Sequence, residues 1–339
     1  MRMERTMADY KVLSFEDVLA ALETPADTLI LFHRNPDADA VGSAFALRQI
    51  LVALGSRAFC VCQDEIPARL RFLVGDEQQS VLPTAIPEEL SPSRIISVDT
   101  ASPAQLGTLN ALFGDRVTLM IDHHGMGEPY ADRYIRPDAA ATGEIMFDLV
   151  KHLATEGRLT ITESLCVRLY AAISSDTGGF RFSNVTPDTH MRAAELLVSG
   201  IDAADINHRL FSSNTMEQLR AEAAGISNLH LFADGKIAVV TFPYALKAAL
   251  GLSDEHLDTL VEIGRSLAGV RVSIALRQPT TEGVFRASLR AEGTYDVSML
   301  AAQFGGGGHK KAAGCTVSAA DINEAMQKIV SKIDFIDLD

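Results

Sequence analysis

Short apolar runs rich in β-branched residues alternate with amphipathic helical patterns through the first half of the chain. This alternation is typical of βαβ units, in which parallel strands form one sheet and helices cover it. A helix is predicted from Val41 to Leu54, and Gly55 ends it. Strands are predicted at residues 28–33, 57–63, 94–100 and 116–122. We therefore expect an α/β domain built on a parallel sheet.

The pattern changes in the second half of the chain. Residues 139–175 are mostly helical, and residues 187–229 form another helical stretch that we interpret as a connector. Beyond it, Asp234-Gly235 between two apolar runs predicts a β-hairpin. Further strands are predicted at 270–277 and 284–290, and helices at 253–267, 297–304 and 320–333. The predicted organisation is a parallel-sheet domain at 1–190, a helical connector at 191–228 and a smaller α+β domain at 229–339.

Length and charge narrow the classes of function. A chain of 339 residues is long enough for about two domains, each with its own core. Its 30 basic and 44 acidic residues give a net charge of −14, so binding of a long nucleic-acid duplex is not expected. The four cysteines are too scattered for a disulfide framework, and no apolar leader or long apolar run occurs. We therefore expect a cytoplasmic protein that does not bind a membrane.

Four separated segments carry histidine or aspartate directly after an apolar strand or helix. Taken singly, each of these residues is explained about as well by a helix cap or a polar loop. Taken together, they place imidazole and carboxylate groups where parallel strands end, which is where open α/β sheets bind their ligands. The segments are His33-Arg-Asn-Pro-Asp37-Ala-Asp39, Ser97-Val-Asp99, Asp122-His123-His124 and Ser174-Ser-Asp176.

The mixture of side chains in these segments indicates the kind of site. Imidazole combined with carboxylate suits Mn²⁺, Fe or Co better than Ca²⁺ or Mg²⁺, and the absence of nearby thiolates disfavours a structural zinc site. The segments offer more ligands than one ion needs. A two-metal centre, which promotes phosphoryl displacement, is therefore the simplest interpretation.

A glycine-rich segment, Phe304-Gly-Gly-Gly-Gly308-His309-Lys-Lys-Ala-Ala-Gly314, stands near the end of the chain. Its backbone N–H groups could approach a phosphate closely, and His309 and the two lysines add positive charge to an acidic chain. The alternative is a flexible glycine turn with solvated lysines. The segment lacks the Lys-Ser/Thr ending of a P-loop, which disfavours that type of nucleotide triphosphate hydrolysis.

These motifs, in this order, resemble the DHH phosphoesterases over nearly the whole chain. The segment from His33 to Ser43 is similar to the first motif of the family, Asp99 to the second, Asp122-His123-His124 to the third and Asp176 to the fourth. The glycine segment resembles the DHHA1 substrate domain. Within the family, the chain most resembles the short bifunctional proteins that degrade nanoRNA and dephosphorylate 3′-phosphoadenosine-5′-phosphate (pAp).

The resemblance implies a centre of two divalent metal ions, expected to be Mn²⁺, with Asp99 bridging them. Asp122 would orient a histidine and His124 would face the scissile phosphate, so that Asp99, Asp122 and His124 form the catalytic set. One ion would be bound by His33, Asp37 and Asp99, and the other by Asp39, Asp99, His123 and Asp176.

The resemblance also implies a substrate site in the C-terminal domain, which closes over the substrate in this family. His309 would bind a phosphate and Arg290 the terminal phosphate of the substrate, a task that suits the guanidinium fork. The residues expected to bind substrate are Arg290, Gly306, Gly307, Gly308 and His309.

The predicted function is Mn²⁺-dependent release of 5′-mononucleotides from short RNA and of phosphate from pAp. A phosphodiesterase acting on pApA or cyclic di-AMP is the first alternative, because it would need the same metal centre and the same phosphate-binding residues. A non-catalytic nucleotide- or RNA-binding module is the second. The complete set of acidic and histidine ligands favours an enzyme, and the resemblance is compatible with a homodimer.

Overall fold

A computed structural model of the chain describes residues 10–334, except the side chain of His309. The chain divides into two compact units, one ending at Ser213 and the other beginning at Asn214. The first unit is built on a parallel sheet, as predicted, and the second combines a mixed sheet with helices, which agrees with the predicted α+β class.

Five parallel strands form the sheet of the first unit, in the order β2-β1-β3-β4-β5. Successive side chains point to opposite faces, so Ile30 and Ile96 belong to one core cluster whereas Leu29 and Ile95 belong to another. The strands are β1 Asp27–Leu31, β2 Arg57–Val61, β3 Arg94–Val98, β4 Leu119–Asp122 and β5 Asp132–Ile135. Strand β5 was not predicted, because only Tyr134 of its four residues is buried and it carries no apolar run.

Helices cover both faces of this sheet. The larger core cluster includes residues of α2, α4 and α5, and the smaller one includes Leu109 of α3. Helix α2 is buried on nearly every side, because it packs between the sheet and its helical neighbours. The helices of the first unit are α1 Phe15–Glu23, α2 Ala38–Ala53, α3 Thr108–Phe113, α4 Thr142–Thr155, α5 Glu163–Asp176, α6 Pro187–Leu197 and α7 Ala203–Phe211.

The region predicted as a connector is helical, and its helices divide between the two units. Helices α6 and α7 pack against α5 in the first unit, whereas α8 (Met216–Ser227) packs against α10 and β7 in the second. The domain boundaries expected after residues 190 and 228 stay predictions.

The second unit has a six-stranded sheet in the order β10-β11-β9-β8-β7-β6, in which only the β7–β8 pair is parallel among the described residues. The predicted hairpin is present as the antiparallel pair β6–β7. The strands are β6 Leu229–Phe232, β7 Ile237–Phe242, β8 Val272–Arg277, β9 Val284–Ala291, β10 Gly307–His309 and β11 Ala312–Ser318. Besides α8, the helices are α9 Tyr244–Ala249, α10 Leu260–Arg265, α11 Val297–Ala302 and α12 Ile322–Val330.

Part of the glycine segment forms an edge strand instead of a loop. Gly307 pairs with Gly314 and Gly308 with Ala313 in the antiparallel β10–β11 ladder. A Cβ atom at Gly308 would lie 2.5 Å from the carbonyl oxygen of Ala312, so close backbone approach requires glycine there. At Gly307 a Cβ atom would meet open space.

None of the helices within residues 10–334 combines the length and the apolar character needed to cross a membrane.

Candidate metal centre

Three neighbouring strands bring candidate ligands to the carboxyl edge of the parallel sheet. His33 lies two residues beyond the end of β1, Asp99 follows β3 directly, and Asp122 is the last residue of β4. Because β1, β3 and β4 are adjacent in the sheet, these side chains meet at one end of it. The predicted edge of the sheet is therefore where the structure gathers the acidic and histidine residues.

His33 faces two carboxylates. Its Nε2 lies 3.7 Å from Oδ1 of Asp37, the residue that caps α2, and 3.5 Å from Oδ2 of Asp99. Its Nδ1 is 2.9 Å from the carbonyl oxygen of Arg34. Since a carbonyl can only accept, Nδ1 donates to Arg34, and Nε2, which faces the two carboxylates, is the nitrogen that a metal ion would bind in place of a proton.

His123 faces three carboxylates. Its Nε2 lies 3.2 Å from Oδ2 of Asp176, 3.8 Å from Oδ1 of Asp99 and 4.0 Å from Oδ2 of Asp39. Its Nδ1 lies 3.3 Å from the carbonyl oxygen of Ala139 and donates to it, so Nε2 is again the nitrogen that faces the carboxylates. Asp176 ends helix α5, and Asp39 lies in the first turn of α2.

Asp99 belongs to both groups. Its Oδ2 faces His33, and its Oδ1 faces His123. The residue has a φ of 53°, in the left-handed region that aspartate tolerates better than most residues. Although burial alone would raise the pKa of Asp99, the hydrogen bond from His33 and the charges of the three histidines hold it below its usual value.

Asp39 is fully buried and accepts three hydrogen bonds. Ser43 Oγ and the backbone N–H of Gly143 donate to Oδ1 over 2.9 and 2.8 Å, and the N–H of Thr142 donates to Oδ2 over 2.7 Å. Burial, and then the charges of Asp99 and Asp176, raise the pKa of Asp39 well above its usual value. This crowding of carboxylates is what a bound cation would relieve.

Asp122 and His124 form a hydrogen-bonded pair whose polar atoms cluster with those of Asp99 and His123. Asp122 Oδ1 lies 2.7 Å from Nδ1 of His124 and also accepts the backbone N–H groups of His123 and His124. Burial would lower the pKa of His124, but the hydrogen bond and charge of Asp122 raise it. The carboxylate therefore fixes the orientation and the tautomer of this imidazole.

The donor set fits divalent ions. Ligand atoms of His33, Asp37 and Asp99 lie within 4.8 Å of one another, and so do those of Asp39, His123 and Asp176. Imidazole nitrogen together with carboxylate oxygen matches Mn²⁺ and its neighbours in the first transition series. The structure thus brings all six predicted metal ligands together, and their role in binding a metal remains a proposal.

The residues that form hydrogen bonds to the proposed ligands were not predicted from the sequence. Thr142 and Gly143 begin helix α4, and the Nδ2 of Asn184 donates to the carbonyl oxygens of Ala140 and Asp176. The N-cap of α4 is Ala141, which has no capping side chain. A helix that starts without a local capping side chain needs another acceptor for its first N–H groups. In α4 that acceptor is the distant side chain of Asp39, and the missing cap was the one sign of it in the sequence.

The residues expected to bind substrate lie in the second unit. Arg290 is in the middle of the mixed sheet on β9, half-buried, with Nε 3.6 Å from Oε1 of Glu262. In the sheet, Ala312 of β11 pairs with Arg290 of β9 on one side and with position 309 of β10 on the other. Gly306 precedes β10, and its Cβ would lie 2.2 Å from the carbonyl oxygen of Gly314.

Comparison with known proteins agrees with both units. The DHH family, N-terminal domain, matches residues 27–173, and the DHHA1 domain matches residues 234–334. The chain is 30% identical over 319 residues to the "Bifunctional oligoribonuclease and PAP phosphatase NrnA" of Thermus thermophilus, covering 94% of this chain and 91% of that protein. It is 26% identical over 318 residues to the "Probable bifunctional oligoribonuclease and PAP phosphatase NrnA" of Streptococcus mutans, covering 92% and 96%.

Among solved structures, an "exopolyphosphatase-related protein" from Bacteroides fragilis superposes with a TM-score of 0.83 at 22% identity, over 98% of both chains. This similarity supports the fold alone. Together, the matched domains and the relatives define a class of phosphoesterases that carry a DHH domain followed by a DHHA1 domain. The chain belongs to the DHH family, and the prediction of a phosphoester hydrolase is confirmed at this level.

Proposed function

We propose that the protein releases 5′-mononucleotides from short oligoribonucleotides and phosphate from pAp, using two Mn²⁺ ions. The observation that carries this proposal is the position of Asp99, which directs one carboxylate oxygen to each of two histidine–aspartate groups. One ion would be held by His33, Asp37 and Asp99, and the other by Asp39, Asp99, His123 and Asp176. When bound, the ions would supply hydroxide near neutral pH and stabilise charge on the phosphoryl group.

Protein side chains would orient the substrate at this centre. With Nδ1 of His124 committed to Asp122, Nε2 is the atom that would hydrogen-bond an oxygen of the scissile phosphate. Asp122 would keep that imidazole from rotating, as the carboxylate of a catalytic triad does. In the second unit, Gly306, Gly307, Gly308, His309 and Arg290 would bind the remaining phosphate groups.

Two further observations support the substrate class. The relatives from T. thermophilus and S. mutans carry names that specify an oligoribonuclease and a PAP phosphatase, and both are matched over at least nine-tenths of their length. The net charge of −14 disfavours a long polyanion, because only local positive groups would attract phosphate. Both support a short, phosphate-rich substrate.

Product analysis tests this proposal. Purified protein loaded with Mn²⁺ is offered pAp, pApA, RNAs of two to five nucleotides, cyclic di-AMP and pyrophosphate in parallel, and products are separated by chromatography. We expect AMP from pAp and mononucleotides from the short RNAs, loss of both activities with a chelator, and recovery when Mn²⁺ is added back. Cleavage confined to pApA or cyclic di-AMP would replace the proposed substrate, and binding without turnover would contradict an enzyme.

Arg290 offers a test of the proposed phosphate contact. We expect Arg290→Ala to raise KM for pAp at least about tenfold and to change kcat less than about twofold, because a charge-assisted hydrogen bond to phosphate would be lost in ground and transition states alike. Arg286→Ala is the matched control, since Arg286 lies on the same strand and face and is more exposed. Steady-state kinetics with equal effects of the two variants would contradict this role of Arg290.

A further inference from the structure

Thr142 connects two parts of the candidate centre that are far apart in sequence. It is the first residue of α4 and is fully buried. Its backbone N–H donates to Oδ2 of Asp39, and its Oγ1 donates to Oδ1 of Asp99 over 3.0 Å. One residue thus donates hydrogen bonds to two of the carboxylates that face Nε2 of His123.

The hydroxyl of Thr142 acts on a side chain whose orientation is otherwise weakly determined. The last torsion of an aspartate side chain is broad, so its neighbours decide where the two oxygens point. In Asp99, Oδ1 receives the Thr142 hydroxyl and is directed toward His123, which leaves Oδ2 directed toward His33.

The start of α4 has little freedom to adjust if this hydrogen bond is lost. A Cβ atom at Gly143 would lie 2.6 Å from Cβ of Ala172 in α5, so α4 and α5 are in close contact at this point. The N–H of Gly143 is also bound to Asp39. The contact with α5 and the hydrogen bond to Asp39 hold the start of α4 in place. Removal of the hydroxyl therefore leaves Oδ1 of Asp99 without this donor.

We propose that Thr142 is a positioning residue whose hydroxyl keeps Asp99 in its bridging orientation and thereby sets the affinity for the metal ion beside His123. This inference rests on the two-metal centre proposed above. The hydroxyl donates to Oδ1 of Asp99, which is the oxygen that faces His123, whereas Oδ2 faces His33. Loss of the hydroxyl should therefore weaken the second ion more than the ion beside His33 and Asp37.

Two matched pairs of variants isolate the hydroxyl. Thr142→Val replaces it with a methyl group of similar shape, and wild type is its reference. Thr142→Ala and Thr142→Ser both remove the methyl group and differ from each other only in the hydroxyl, which keeps the test usable if the valine variant does not fold. Circular dichroism checks the fold of each variant.

Binding of Mn²⁺ to metal-free protein is measured by calorimetry, and electron paramagnetic resonance reports whether two bound ions are spin-coupled. We expect the valine and alanine variants to bind one ion within about threefold of wild-type affinity and the other about 10- to 100-fold more weakly, as is typical for loss of a group that orients a metal ligand. Their coupled signal should weaken accordingly. The serine variant should restore the second affinity and the coupling.

If Thr142→Val bound Mn²⁺ as tightly as wild type, and Thr142→Ala as tightly as Thr142→Ser, the role of Thr142 would be overturned. The metal centre itself would stay intact. Equal weakening of both ions would also overturn it, because the effect would then not be specific to the His123 side. A wild-type protein that binds fewer than two ions would overturn the metal centre itself, and this inference with it.

Discussion

Asp99→Asn is expected to lower kcat for pAp by at least about a thousandfold while the protein remains folded. Asp99 is the only one of the six proposed metal ligands that faces both His33 and His123 in the described structure. An amide has one acceptor oxygen and no charge, so it could not serve both ions, and the charge stabilisation they provide is worth several kcal/mol in the transition state. Single-turnover assays with saturating Mn²⁺ measure the effect.

The control for this substitution is Asp115→Asn. Asp115 is exposed, so the same chemical change there should leave kcat within about twofold. Activity of Asp99→Asn within tenfold of wild type would show that Asp99 does not bridge two catalytic ions. Circular dichroism and the urea midpoint separate loss of catalysis from loss of the fold.

Gly42→Val is expected to reduce the free energy of unfolding by on the order of 3 kcal/mol or more. A Cβ atom at this position in α2 would lie 2.5 Å from the carbonyl oxygen of Arg168 and 3.1 Å from Cβ of Ala172, both in α5. The nearest atom belongs to the backbone of a buried helix and has no room to move. Helix α2 carries Asp39 and α5 carries Asp176, so separating them would also distort the candidate centre.

Urea unfolding followed by circular dichroism measures this effect. Val52→Ala is the control on the same helix, because Val52 is half-exposed and its truncation should change the free energy of unfolding by less than about 0.5 kcal/mol. An unchanged urea midpoint for Gly42→Val would show that α2 and α5 can separate without cost.

The positions of the proposed ligands at the strand ends could be predicted from the sequence, because they follow from strand topology. Parallel strands of one sheet end at the same edge, so His33, Asp99 and Asp122, at or near the ends of the predicted strands 28–33, 94–100 and 116–122, were expected to converge there. The start of helix α2 was not predicted correctly: the expected helix began at Val41 with Asp39 as the candidate cap, whereas α2 begins at Ala38 and Asp37 accepts the N–H of Ala40.

Other features depend on contacts that a local pattern does not contain. The hydrogen bonds of Thr142 reach back 43 and 103 positions along the chain, and a single sequence does not identify the partners of such bonds. Two of the three residues of β10 are glycines, so no side-chain alternation marked it as a strand. The helix predicted at 253–267 is a 3-10 turn at Asp254–Leu257 followed by α10, so its length was wrong.

Anomalous diffraction from crystals soaked in Mn²⁺, measured at the manganese edge, shows directly how many ions the protein binds and which residues lie beside them. We expect two peaks, one beside His33 and Asp37 and the other beside His123, Asp39 and Asp176, with an oxygen of Asp99 next to each. A single peak, or peaks away from Asp99, would contradict a two-metal centre bridged by this residue.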